Sequence, residues 1–106
     1  MREILFMPKA WQDLGWWMQN DIKQVKKIYS LLENSSKTPF SGLGQPEPLK
    51  ANFKGYWSRR INLEHRIIYK VEETKIVVVS IHGHLSIINL ANNSPLNYSY
   101  LFLSLS

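Results

Sequence analysis

Residues 55–69 read GYWSRRINLEHRIIY, two short alternating runs joined by Asn62, Leu63 and Glu64, which is the pattern of a β-hairpin. Successive strand side chains point to opposite faces. Trp57, Arg59 and Ile61 therefore share one face of the first strand, and Tyr56, Ser58 and Arg60 share the other. On the second strand His65, Ile67, Tyr69 and Val71 lie on one face while Arg66, Ile68 and Lys70 lie on its reverse. Strands inside a sheet are usually filled with β-branched and aromatic residues, so three arginines and a histidine in one hairpin call for an explanation beyond packing. Each arginine taken singly reads as a solvated side chain. As a set, guanidinium groups on rigid strands beside aromatic rings make a site for phosphates and stacked bases.

Upstream of the hairpin, Ile4, Leu5 and Phe6 form a brief apolar run before Pro8, which predicts a short strand followed by a helix. Trp11, Leu14 and Met18 recur at helical spacing, with Trp16 and Trp17 widening the arc, and this face is expected in the core. Asn20 and Asp21 break the pattern. Ile22, Val25, Tyr29 and Leu32 then predict a second helix, antiparallel to the first, with Lys23, Lys26 and Lys27 on a solvated basic side. From Asn34 to Lys50 the composition turns to Ser, Thr, Gly and Pro, so an irregular segment with a functional role is expected there. Pro46 and Pro48 restrict the backbone on both sides of Glu47 and hold one carboxylate in place.

Downstream, residues 76–81 read IVVVSI, a β-branched run suited to a buried strand. It ends in His82, Gly83 and His84. A His-x-His pair is a weak metal signal without cysteine or an evident third ligand, so these read as solvated or hydrogen-bonded histidines, with no metal and no cofactor expected. A loop carboxylate, strand arginines and a strand-end histidine are nevertheless the parts needed for acid–base cleavage of RNA. Residues 85–106 carry no charged side chain, which places a boundary between a domain at 1–84 and an extension at 85–106. The extension reads either as an added strand, through the alternation of Leu96, Tyr98, Tyr100 and Phe102, or as an unstructured tail.

A chain of 106 residues suits one small domain with a single core. Thirteen Lys and Arg against eight Asp and Glu give a net charge of +5, which points to an anionic partner, nucleic acid first and an acidic protein segment second. With no cysteine, a disulfide framework and a thiolate nucleophile are excluded, and a reducing cytoplasm fits. No segment approaches the roughly 20 apolar residues that span a bilayer, and no signal-peptide pattern opens the chain, so no membrane association is expected.

Two stretches, KTPFSGLGQPEPLK at 37–50 and GYWSRRINLEHRIIY at 55–69, together make the sequence resemble the YoeB (Txe) toxins of the RelE superfamily, over residues 1–84. The resemblance implies an α+β fold of order βααβββ, with two helices packed on a twisted, mostly antiparallel sheet. It also implies a ribosome-dependent mRNA endonuclease, restrained by an acidic antitoxin of the YefM type and able to form a homodimer. By the same resemblance Glu47 matches the general base, Arg60 and Arg66 the arginines on the scissile phosphate, and His84 the general acid, while Lys50 is a further candidate RNA contact. The end of the chain departs from the family pattern Cys-Arg-Tyr-His-Tyr, since Ile81, His82, Gly83, His84 and Leu85 stand there. The arginine, the first tyrosine and the terminal aromatic are thus replaced, and the position after Lys50, often histidine, is Ala51. Loss of a stacking aromatic costs roughly 1–3 kcal/mol per base, so a catalytically impaired relative and a basic nucleic-acid-binding module are the alternatives.

Overall fold

The computed structural model describes residues 1–50 and 52–82. In chain order they form β1 (Glu3–Phe6), α1 (Pro8–Asn20), α2 (Ile22–Lys37), β2 (Glu47–Pro48), β3 (Tyr56–Arg60), β4 (Arg66–Val71) and β5 (Lys75–Ser80). The strands make one sheet in the order β1-β5-β4-β3-β2, with β1 parallel to β5 and the other neighbours antiparallel. This is the expected α+β arrangement, with one addition: the two-residue β2 lies within the segment read from sequence as irregular. That segment is also shorter than expected at its start, because α2 continues through Asn34 to Lys37. His84 and the extension at 85–106 lie outside the described residues.

Pro8 occupies the first turn of α1, where its missing N–H costs nothing, and Asp21 alone separates the two helices. Their buried faces overlap the expected ones only in part, at Leu14, Trp17, Val25 and Leu32. In α1 the residues that pack inward are Ala10, Asp13, Leu14 and Trp17, whereas Trp11 is 64% exposed and Met18 and Trp16 are also exposed. The two stripes are one residue apart, about 100° of helix rotation, and the large rings of Trp11 and Trp16 drew the reading to the wrong one. Trp11 instead packs edge-on against Phe6, ring centroids 6.0 Å apart. In α2 the inward residues are Ile28, Leu31, Leu32 and Ser35, with Val25 partly buried, while Ile22 and Tyr29 are exposed. The sheet contributes Ile67, Tyr69, Ile76 and Val78 to the same core, with Ile61 from the end of β3 and Ile81 from the end of β5.

A strand arginine also sits within this layer. Arg59, on the helix-facing side of β3, is 0% exposed. Its Nε donates to the Tyr69 hydroxyl at 2.9 Å, one terminal nitrogen donates to Asn34 Oδ1 and the Leu43 carbonyl, and the other donates to the carbonyls of Thr38 and Ser41. Tyr69 in turn donates to the Pro39 carbonyl at 2.7 Å, and burial raises the pKa of its phenol. A buried charge survives only where its donors are satisfied, and here all five bonds go to neutral acceptors, three of them backbone carbonyls of residues 38–43. The loop is shaped to fit. Gly42 and Gly44 have φ of +110° and +80°, and a Cβ on Gly44 would stand 2.7 Å from Leu31 Cδ2 and 3.2 Å from Arg59 Cβ, so neither position accepts a larger residue without strain.

Arg59→Leu would leave several of these buried acceptors unpaired, at about 1–3 kcal/mol each. We expect a loss of roughly 3–5 kcal/mol in urea unfolding, and Arg59→Lys, a single point donor in place of a fork, should recover little of it.

Candidate active site on the sheet face away from the helices

The register of β2, β3 and β4 places three of the sequence-predicted residues together. Glu47 pairs with Ser58, and Arg60 pairs with Arg66. Directly paired residues share a face, and Ser58 and Arg60 are two apart on one strand, so Glu47, Arg60 and Arg66 all stand on the face opposite Arg59. A diagonal step of about 7–8 Å separates Glu47 from Arg60. Arg66 registers both neighbours electrostatically: burial lowers its pKa first, the positive charge of Arg60 lowers it further, and Glu47 raises it. Glu47 is exposed, as a group that must meet a ligand requires.

Arg66 is less of a surface residue than its sequence position suggests. It is 9% exposed, and one terminal nitrogen donates to the carbonyls of Asn62, at 3.0 Å, and His65, at 3.2 Å. Those bonds hold the guanidinium against the hairpin turn, where Asn62 Oδ1 accepts from the N–H of Glu64 and His65. Arg60 is half-buried, and its Nε has no hydrogen-bond partner among the described residues. Lys50 is exposed but follows Leu49, whose N–H bonds the Tyr56 carbonyl. It therefore lies beyond the end of β3 opposite Arg60, apart from the arginine pair. His84, the fourth expected member, lies outside the described residues.

The end of β5, which leads toward His84, is anchored by a residue that sequence reading passed over. Asp13 is a buried carboxylate on α1. It accepts from the Ile81 N–H at 3.0 Å and the Ser80 hydroxyl at 3.3 Å, and it pairs with Lys9 one turn away. Trp17 Nε1 donates to the Ile81 carbonyl at 2.9 Å. Ser80 reaches α1 through its hydroxyl and Ile81 through its main-chain N–H, just past a register irregularity of the β4–β5 pairing between Ile68 and Tyr69. The available signal was a lone carboxylate at helical spacing with Ala10 and Trp17. His82 follows, stacked on His65 with centroids 4.4 Å apart and 4.3 Å from Trp16. Among the described residues no three His, Cys, Asp or Glu are grouped so as to hold a metal ion.

Comparison with known proteins matches residues 6–85 to the YoeB-like toxins of bacterial type II toxin–antitoxin systems. The chain belongs to that family. The YoeB toxin of Synechocystis is 45% identical over 82 residues, which are 77% of this chain and 95% of the relative. The solved YoeB dimer from Staphylococcus aureus superposes with a TM-score of 0.73 at 44% identity, covering 78% of this chain and 97% of that one. A heterotetrameric YoeB–YefM toxin–antitoxin complex from the same organism gives a TM-score of 0.71 at 44% identity, covering 79% of this chain and 98% of that one. The fold expected from the YoeB resemblance is thus the fold found. No helix among the described residues is long and apolar enough to cross a membrane.

The histidine stack gives a pH test. The His82 pKa is lowered from its ordinary 6.5 by burial first and then by His65, with Asp13 opposing and Lys9 adding. The unfolded chain therefore takes up a proton at a pH where the folded chain resists it. Stability should be flat above about pH 7 and fall as the pH drops through about 6.5. Urea midpoints at about pH 7.5 and 5.5 should show the drop, and His82→Gln should reduce it.

Proposed function

We propose that the protein is the toxin of a type II toxin–antitoxin pair and acts in the cytoplasm as a ribosome-dependent mRNA endonuclease. The observation that carries this reading is the placement of Glu47, Arg60 and Arg66 on one sheet face, with a carboxylate acting electrostatically on a half-desolvated arginine pair. A protein that only neutralised phosphates would gain nothing from a carboxylate there, because it repels the ligand; a cleaving enzyme needs one.

In this scheme Glu47 takes the proton of a ribose 2′-hydroxyl as that oxygen attacks the adjacent phosphorus. The bond to the 5′-oxygen breaks, and His84, placed by its match to the family motif, donates the proton that the departing oxygen requires. Arg60 and Arg66 hold the phosphoryl oxygens as their negative charge grows. The products are a 2′,3′-cyclic phosphate, opening to a 3′-phosphate, and a 5′-hydroxyl. Every group in the scheme is a side chain of this chain.

An acidic antitoxin of the YefM kind is the natural restraint for a chain of net charge +5, and the solved YoeB–YefM complex and YoeB dimer of Staphylococcus aureus support both an antitoxin partner and a homodimer. The replacement of the family's terminal aromatic by Leu85 and of its arginine by His82 favours one second reading, a relative that binds antitoxin and ribosome but cleaves weakly. Primer extension on a reporter message, in cells or with purified ribosomes, separates the two. If the protein cleaves, Glu47→Gln should reduce cuts by roughly 10²–10⁴-fold with an unchanged thermal midpoint, since Glu47 is exposed. Arg66→Ala should reduce cleavage and also lower the midpoint, because it releases the two hairpin carbonyls. A wild-type chain that leaves the message uncut would establish the second reading.

A further inference from the structure

We propose that the cleft between α2 and the Gly44–Gln45 segment is a second RNA subsite, which seats the sugar–phosphate backbone flanking the scissile phosphate; this rests on the reading of Arg60 and Arg66 as phosphate ligands. The cleft has a volume of about 330 Å³ and is lined by Lys27, Ser30 and Leu31 from α2, by Leu43 and Gln45 from the loop, and by Arg60 from β3.

Four observations define what it takes. First, its charged lining is positive only: Lys27 and Arg60 face it and no carboxylate does, so the ligand is an anion. Second, Arg60 borders both sites: its register puts the side chain on the face of the arginine pair, and the residue lines the cleft where its main chain meets Gly44 at the sheet edge. Its buried Nε has no partner among the described residues. A donor left unpaired in the protein is satisfied when a ligand oxygen reaches it.

Third, the rim is rigid. Gln45 has φ of +53°, a left-handed conformation that a non-glycine residue holds only where its surroundings enforce it. The Arg60 N–H bonds the Gly44 carbonyl at 2.7 Å, which holds the peptide entering Gln45 against the same arginine. Fourth, Leu31 and Leu43 give the cleft an apolar floor between its donors, which suits a ribose or base carried by a phosphate chain better than an isolated ion. Lys23, exposed and one helical turn before Lys27, continues the positive row outward along α2. A strand held at Arg66 thus turns round the sheet edge at Arg60 into the cleft and leaves along the lysines.

The test uses the full chain and fluorescence anisotropy of a labelled single-stranded RNA oligonucleotide over a salt series, with a poly-glutamate peptide in parallel. Lys27→Ala should weaken RNA binding about five- to tenfold at low salt and reduce the magnitude of the log–log salt slope by about 0.7, the loss of one phosphate contact on a single strand. Gln45→Ala should weaken binding without changing the slope. Lys27 is an exposed helical position and alanine is a good helix former, so folding is retained. Wild-type affinity and slope in Lys27→Ala overturn the proposal. A loss confined to poly-glutamate also overturns it, assigning the cleft to an acidic protein segment. Glu47→Gln keeps the two readings apart: it should reduce cleavage by roughly 10²–10⁴-fold while leaving the Lys27 effect on binding intact. Cleavage that persists in Glu47→Gln refutes the catalytic scheme and not the subsite.

Discussion

The buried guanidinium of Arg59 is the constraint on which the rest of the structure depends. Five hydrogen bonds leave it for Tyr69, Asn34 and the carbonyls of Thr38, Ser41 and Leu43. A cation enclosed in the helix-facing layer is costly unless every donor is met, and three of the five acceptors that meet it are carbonyls of one loop. That loop can therefore take few other paths. Because residues 38–43 are fixed on Arg59, the chain emerges at Gly44 alongside β3, bonds the Arg60 N–H, and runs into β2 with Glu47 opposite Ser58. The same arginine sits one residue before Arg60. Strand alternation sends the first into the core and the second to the opposite face, so the group that shapes the loop and the group assigned to the phosphate are locked in register.

The fold was legible where its signals are local. The hairpin, its two faces, the Asn62–Glu64 turn, the paired helices and the β-branched last strand all follow from alternation, helical spacing and turn residues in the sequence. Two matters were not. The helix faces were misread because Trp11, Trp16, Met18 and Tyr29 are large and apolar and yet exposed, while the true inward stripe of α1 carries a small residue, Ala10, and a charged one, Asp13. Hydrophobic spacing weights size and polarity and has no means of seeing that Asp13 will find the Ile81 N–H. Arg59 was hidden for the same reason: its acceptors are mostly backbone carbonyls, which have no identity in a sequence.

The candidate site divides along that line. That Glu47 and the arginines deserved attention could be read from two flanking prolines and a basic hairpin, and their roles followed from the YoeB resemblance. What was not readable was how the arginines differ. Arg59 is structural, Arg60 has an Nε without a partner among the described residues, and Arg66 divides its guanidinium between the hairpin turn and the site. Three identical residue types in eight positions of sequence thus carry three different burdens, decided by which face and which neighbour the register supplies.

Arg60 and Arg66 stand as cross-strand partners, an arrangement that is unfavourable by itself because like charges directly opposite repel. Burial of Arg66 sharpens the cost, and Glu47 offsets part of it from one position away. On the proposed function this tension is useful. Any anion that bridges the pair removes the repulsion and gains charge-assisted bonds together, so the pair favours ligands with several acceptor oxygens over water. A phosphodiester of the message and a carboxylate side chain of an acidic antitoxin meet that description equally. They would relieve the same repulsion at the same guanidinium groups, and occupancy by one excludes the other. Inhibition by such an antitoxin then requires no change of shape in the toxin, only carboxylates delivered where the phosphate would lie.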